Sequence, residues 1–244
     1  MKQTKLIMGM PITMEIIEPA SEVVFTDVFN YFRAVDRRYS TYKANSEISR
    51  INRGLPRSKW SPEMRAVMRL CDQTKQATKG YFDINHQGKL DPSGLVKGWA
   101  IQNAAQLLLK RGEQNFYIDG GGDIQVHGHN DEDEPWRVGL RNPFNRDEII
   151  KSLSVTSEGV ATSGTYIRGQ HIYDPFHETS KLETVMSLTV VGPNIYEADR
   201  FATAAFAMGL EGIAFIESKI GLEGYMVDRD RVATFTTGFE MYVA

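Results

Sequence analysis

Residues 80–98, GYFDINHQGKLDPSGLVKG, place two carboxylates, Asp83 and Asp91, in turns punctuated by Gly and Pro, just ahead of a Gly94-Leu-Val-Lys97-Gly98 run. This Gly-Leu-Val-Lys-Gly run opens a predicted helix. Backbone amides at a helix start, a nearby ammonium and acceptor oxygens are what a nucleotide pyrophosphate needs. A second constellation lies far along the chain, in Glu197-Ala-Asp199-Arg-Phe-Ala-Thr203. Asp199 and Thr203 are also four apart, so a carboxylate and a hydroxyl share one helix face. Hard oxygen donors of this kind suit magnesium, which takes few protein ligands and completes its shell with phosphates and waters. The alternative is an acidic first helical turn favoured by the helix dipole, with Thr203 merely packed.

Two further features compete for chemistry. Asp119-Gly-Gly-Gly-Asp123 superficially matches a dinucleotide fingerprint, but that fingerprint demands a helix next, and Ile124-Gln-Val126 continues as a strand. What remains is a tight turn where backbone can approach a ligand, or a plain hairpin corner. His171, in GQHIYDP, alone among the five histidines sits in a motif-like setting, a predicted strand ending in an Asp-Pro turn; a structural histidine with satisfied hydrogen bonds is the alternative. His86, His127 and His129 fall in polar loops without a metal-binding partner pattern. Cys71 shares a helical face with Met64, Val67 and Met68, and as the one cysteine it excludes a disulfide framework and multi-cysteine metal sites.

These residues must be positioned by elements, and the pattern of elements changes along the chain. One strand is expected from Lys5 to Ile17. A helix capped at Ser21 follows, with Phe25, Val28, Phe29, Phe32 and Val35 on its apolar face. The polar stretch STYKANSEISRINRG reads as an irregular loop outside the core, and Pro62 starts a helix that stops at Gly80. Phe82-Asp83-Ile84 reads as a strand, and the Gly94/Lys97 helix runs from about Ser93 to Gly112. The middle of the chain is rich in short strands (NFYID, DIQVH, WRVGLRNP, SLSVTSEGVATSG, HIYDP, MSLTVVGP). A helix near Tyr196–Met208, another ending near Gly221, and two strands, GYMVD and VATFTTGFEMYV, close the sequence. Helices early and late around a strand-rich middle predict an α+β fold, with a largely antiparallel sheet and flanking helices, as a single domain over 1–244.

Composition sets limits. The 244 residues carry 28 basic and 31 acidic side chains, a net charge of −3, which leaves no basic excess for a nucleic-acid backbone. Hydrophobic residues at 41% and charged residues at 24% are ordinary for a soluble globular protein. No stretch is long enough to span a bilayer. The apolar run LIMGMPI, broken by Gly9 and Pro11, does not read as an export signal, so the expected location is the cytoplasm.

Taken together, the segments resemble the FAD:protein FMN transferase (ApbE) family, whose architecture is T-fold-related. The matches follow the family's order: Met8-Gly9, YSTYKANSEISRIN, GYFDI, DPSGLVKG, IDGGGDI, ATSGTY, HIYDP and EADRFATA. Each is weak alone, and the shared order makes the resemblance specific. It implies FAD contacts from Met8, Tyr42, Tyr81, Phe82, Asp83, Asp91, Lys97 and His171. It implies Mg2+ held by Asp199 and Thr203, with carbonyl oxygens of Gly94 and Ala202 nearby, and His171 as the catalytic base. The implied reaction moves FMN from FAD, the substrate, to a Thr/Ser hydroxyl of an acceptor protein with an Asp/Ser-Gly-Ala-Thr/Ser motif, releasing AMP. Hydrolysis of FAD to FMN and AMP, or FAD binding without catalysis, are the alternatives. Neither nucleic acid nor membrane is an expected partner, and the oligomeric state, a homodimer included, is left open. Three positions depart from the family pattern: Met10 replaces a hydroxyl residue, Gln102 replaces a frequent aspartate, and Phe176-His177-Glu178 replaces Arg-Thr-Gly.

Overall fold

The computed structural model describes residues 1–17, 19, 21–164, 173, 175–176 and 182–244. Its strands in chain order are β1 (Lys2–Ile7), β2 (Met10–Ile16), β3 (Asn85–His86), β4 (Lys89–Leu90), β5 (Phe116–Gly120), β6 (Asp123–His127), β7 (Trp136–Asn142), β8 (Asn145–Val155), β9 (Gly159–Gly164), β10 (Val185–Gly192), β11 (Glu223–Asp228) and β12 (Ala233–Phe235). The helices are α1 (Glu22–Tyr39), α2 (Glu47–Asn52), α3 (Pro62–Ala77), α4 (Ser93–Lys110), α5 (Ile195–Ala207) and α6 (Gly212–Glu217). Eight strands form one sheet in the order β1-β2-β5-β6-β9-β10-β11-β12, every pairing antiparallel. The fold is therefore α+β with an antiparallel sheet.

Alternation along the strands builds two cores. On β11, Met226 joins the larger cluster while Tyr225 and Val227 join the smaller one, as a period of two requires of a sheet covered on both faces. The larger cluster takes the apolar faces of α1, α3, α4 and α5, including Phe25, Phe29 and Phe32 at zero exposure. The smaller is closed by the separate β7–β8 hairpin, with Trp136, Val138, Leu153 and Val155, and by Phe239. Cys71 is buried within the larger core, where burial pushes its thiol up to about 12.

Four local expectations change. The first strand is in fact a hairpin, because Met8 (φ 57°) and Gly9 (φ 74°) form a two-residue turn between Ile7 and Met10. Positive φ at both turn residues matches the twist of the paired strands. The polar stretch after α1 carries α2, capped by the Ser46 hydroxyl, which accepts from Ser49 N at 3.1 Å. Glu47 at its start is buried and accepts from the Ser61 amide at 2.6 Å and the Ser61 hydroxyl at 2.7 Å, a contact across the chain that local composition does not reveal. Phe82-Asp83-Ile84 is a bend, not a strand. Residues 75–80 close α3 with Gly80 N donating to Lys75 O at 2.8 Å and Lys79 N to Gln76 O at 3.2 Å, and the chain then turns Phe82 inward. In the C-terminal segment only Ala233–Phe235 pairs as a strand. Buried Thr236, which accepts from Gly224 N at 2.8 Å, turns the chain into a 3-10 helix over Phe239–Tyr242.

Candidate active site

The two constellations separated in sequence meet where α4 crosses α5. A Cβ built on Gly98 would lie 2.6 Å from Asp199 Cβ and 2.8 Å from the Ile195 carbonyl, so only glycine lets the helices approach this closely. One turn earlier, a Cβ on Gly94 would lie 3.4 Å from both Thr203 Cγ2 and a ring carbon of Phe82, an ordinary contact. The i, i+4 glycines of α4 thus receive the i, i+4 Asp199/Thr203 pair of α5. The start of α5 is fixed in turn: the Asn194 side chain accepts from Glu197 N at 3.0 Å, and buried Gln125 on β6 accepts from Ile195 N at 2.8 Å. Arg200 binds Glu197 at 2.6 Å and the Thr74 hydroxyl at 3.2 Å, tying α5 to α3. Glu197, not Asp199, is the solvent-side acid of the first turn. Asp199 points inward and is 3% exposed, so it is not a solvated acid of the first turn.

The glycine triplet supplies the third wall. Gly121 (φ 67°) and Gly122 (φ 98°) form the β5–β6 hairpin corner, and Gly121 N donates to Pro11 O at 3.1 Å, joining this corner to the Met8-Gly9 hairpin. A Cβ on Gly120 would lie 2.6 Å from Ile101 of α4, so the corner seats directly on that helix. The corner delivers Asp123, 1% exposed, to the α4–α5 crossing. The sequence marks this turn as one where backbone can approach a ligand but gives the Asp123 side chain no role of its own. Lys97 forms an ion pair with its Oδ2 and lies 3.5 Å from Asp199 Oδ1. Asp199 Oδ2 accepts from Gly98 N at 2.8 Å, and Asp123 Oδ1 accepts from Thr162 N at 3.3 Å. In a regular α-helix the Gly98 amide is the partner of the Gly94 carbonyl, so that carbonyl has at best a shared donor. Burial pushes the Asp199 carboxyl up to about 7; Lys97 opposes the rise, Asp123 adds to it, and the Gly98 amide opposes it.

The other sequence-predicted residues form a more open rim. Met8 occupies the hairpin turn and packs against the main core. Phe82 is buried beside Gly94. The Asp83 carboxylate is bound by Lys75 at 2.6 Å and by Asn85 N at 3.0 Å. Asp91 accepts from Ser93 N at 2.9 Å, bracing the start of α4. Tyr81 meets Phe176 edge to face at 4.9 Å, and Tyr173 donates to the Asp83 carbonyl at 2.7 Å. Tyr42 is 98% exposed and is not drawn into the Lys97 cluster. Ala202 is fully buried on α5, one residue before Thr203. Met10 is buried next to Gly120, and Gln102 lies on α4 with its carbonyl oxygen buried. His171, His177 and Glu178 lie outside the described residues.

The family model described as "ApbE family" matches residues 8–88 and 84–226. The chain belongs to the ApbE family. Among curated relatives, the FAD:protein FMN transferase of Vibrio cholerae serotype O1 is 24% identical over 81% of this chain and 77% of the relative. Those of Klebsiella pneumoniae (strain 342) and Escherichia coli (strain K12) are each 27% identical over 58% of this chain. The matched part of the chain spans 43% of the length of these two relatives. The solved flavin transferase ApbE from Vibrio cholerae superposes with a TM-score of 0.87 over 99% of this chain and 98% of that one, at 21% identity. The ApbE protein of Thermotoga maritima gives 0.88 over 100% and 99%, at 18% identity. At these identities the structures establish a shared ApbE fold.

The residues at the α4–α5 crossing fit a hard divalent cation. Two buried carboxyls face one ammonium, and burial and Asp123 both raise the Asp199 pKa, so a cation beside Asp199 would favour its ionised form. Among the described residues no group of three His, Cys, Asp or Glu donors assembles. The Asp199 carboxylate and the Thr203 hydroxyl on α5 are hard oxygen donors, the kind magnesium takes in small number while completing its shell with phosphate and water. No helix of the described residues is long and apolar enough to cross a membrane.

Proposed function

We propose that this ApbE-family chain transfers FMN from FAD to a threonine or serine hydroxyl of an acceptor protein and releases AMP. The observation that carries the reading is the meeting of Gly94, Lys97 and Gly98 with Asp199 and Thr203 across one helix crossing. In this proposal Met8, Tyr42, Tyr81, Phe82, Asp83 and Asp91 contact FAD around that crossing. Asp199 and Thr203, with the Gly94 and Ala202 carbonyls nearby, would hold magnesium, which supplies charge neutralisation at the pyrophosphate. Lys97 adds a positive charge beside the same phosphates.

The acceptor hydroxyl attacks the phosphorus on the FMN side of the pyrophosphate. The new P–O bond forms as the bridging P–O bond breaks, and AMP leaves with the bridging oxygen. His171 takes the hydroxyl proton in this reading. The amide of Gly98 and the packing of Gly94 keep Asp199 and Thr203 in fixed positions through the reaction.

The test is incubation with FAD and magnesium, with and without an acceptor carrying an Asp/Ser-Gly-Ala-Thr/Ser motif. A fluorescent acceptor band on a denaturing gel is expected. Free FMN and AMP without labelled acceptor would make the chain an FAD hydrolase, and FAD recovered intact would make it a binding protein. Asp199→Ala should abolish labelling; full labelling in saturating magnesium would remove Asp199 from the metal site.

A further inference from the structure

Asp123 and Asp199 are arranged almost as mirror images about Lys97. Each gives one carboxylate oxygen to a backbone amide, Thr162 N at 3.3 Å for Asp123 and Gly98 N at 2.8 Å for Asp199. Each presents its other oxygen to the same ammonium. The two contacts are unequal: Lys97 is in direct ion-pair contact with Asp123, whereas Asp199 Oδ1 stands off at 3.5 Å. We infer that Asp123 is a positioning residue, drawing the Lys97 ammonium toward the glycine corner so that Asp199 Oδ1 stays open to a divalent cation. The inference rests on the proposed role of Asp199 as a cation ligand.

The physical reason is competition. An ammonium and a metal ion compete for one carboxylate oxygen at close range, because like charges repel in a buried site. Lys97 is tethered to α4 with both buried carboxyls within ion-pair distance, so drawing it toward one loosens its hold on the other. Asp123 cannot follow it, since it is anchored where β5 pairs with β6 (Gly120 opposite Asp123) and by its bond across to β9. If the Asp123 charge is removed, Asp199 becomes the single buried anion of the cluster, and Lys97 moves onto the oxygen the cation requires. The lysine then also sits farther from the corner that the Gly120 contact with α4 holds in place.

A double-mutant cycle read by direct cation binding tests this, with Mn2+ alone titrated into the flavin-free full chain and free Mn2+ measured by electron paramagnetic resonance. Asp123→Asn should weaken Mn2+ binding about 10-fold in the otherwise native chain, but less than about 3-fold when Lys97→Met is already present. Equal losses in the two backgrounds would mean that Asp123 contributes only its bare charge, and would overturn the inference. Asp199→Asn separates the two layers: if it leaves Mn2+ binding intact, or the native chain binds none, the cation reading itself falls. If it abolishes binding while Asp123→Asn changes nothing, only the positioning role falls. Thermal unfolding of each variant without metal checks the fold. Should Asp123→Asn not fold, Asp123→Glu keeps the charge and is expected within about 3-fold of native Mn2+ affinity; a loss as large as that of Asp199→Asn would overturn the role.

Discussion

The α4–α5 crossing and the rim around Tyr42, Tyr81, Asp83 and Phe176 are built on opposite principles. At the crossing, two glycines remove side chains so that two carboxylates can be packed with exposures of a few per cent beside a lysine whose side chain is 16% exposed. At the rim, aromatic rings and ion pairs stand in solvent, with Tyr42 at 98% and Phe176 at 57% exposure. The crossing therefore fixes atoms, as charge chemistry at a phosphate requires. The rim offers surface that can adjust to a ligand or a docking protein without a cost to the core.

Substitutions that challenge this contrast should rank accordingly. The largest effect belongs to Gly98→Ala, since the new methyl meets Asp199 Cβ at 2.6 Å and the Ile195 carbonyl at 2.8 Å. A loss of about 3 kcal/mol or more in unfolding free energy is expected from forced separation of packed helices. A denaturant midpoint equal to that of the native chain would show that the crossing is loose. Gly94→Ala sharpens the point: its nearest contacts at 3.4 Å are ordinary, and the gain in helix propensity offsets them, so the net change should stay within about 1 kcal/mol.

The rim predictions are smaller. Phe176→Ala removes one edge-to-face contact with Tyr81 on a mostly exposed ring, so it should cost under about 1 kcal/mol of stability. If the rim handles recognition, the same variant raises KM for FAD or acceptor in the labelling assay with kcat little changed; a fall in kcat alone would move Phe176 into the reaction centre. Lys75→Met breaks the pair with Asp83, but Lys75 is half exposed, so screening keeps the stability loss to about 0.5 kcal/mol. A loss of several kcal/mol in a chemical unfolding curve would show that this pair is structural rather than peripheral.

Much of the scaffold was legible in the sequence because its signals are local. Phe25, Val28, Phe29, Phe32 and Val35 repeat at helical spacing, and all five are buried on α1. The Gly-rich corner before a strand excluded a Rossmann unit, and β6 does follow it. The helix α2 escaped because it is six residues long and depends on Glu47 reaching Ser61 across a loop. Asp123 escaped for a related reason. It reads as the end of a turn, and its partner Lys97 belongs to another element. One signal was present: glycines at 94 and 98, four apart on a helix, mark a place where another element comes close.

By itself, then, the sequence determined the helix faces, the antiparallel class and the ordered segments that place the chain in the ApbE family. Those properties depend on spacing along the chain, which periodicity and turn chemistry encode directly. Only the tertiary structure decided that Asp199 faces inward while Glu197 pairs with Arg200 at the partly exposed side of α5, and that Lys97 stands between Asp199 and Asp123. Those facts depend on the rotational setting of α5 against α4 and on where the β5–β6 corner lands. Both are set by close contacts at Gly98 and Gly120 between elements that no local pattern relates.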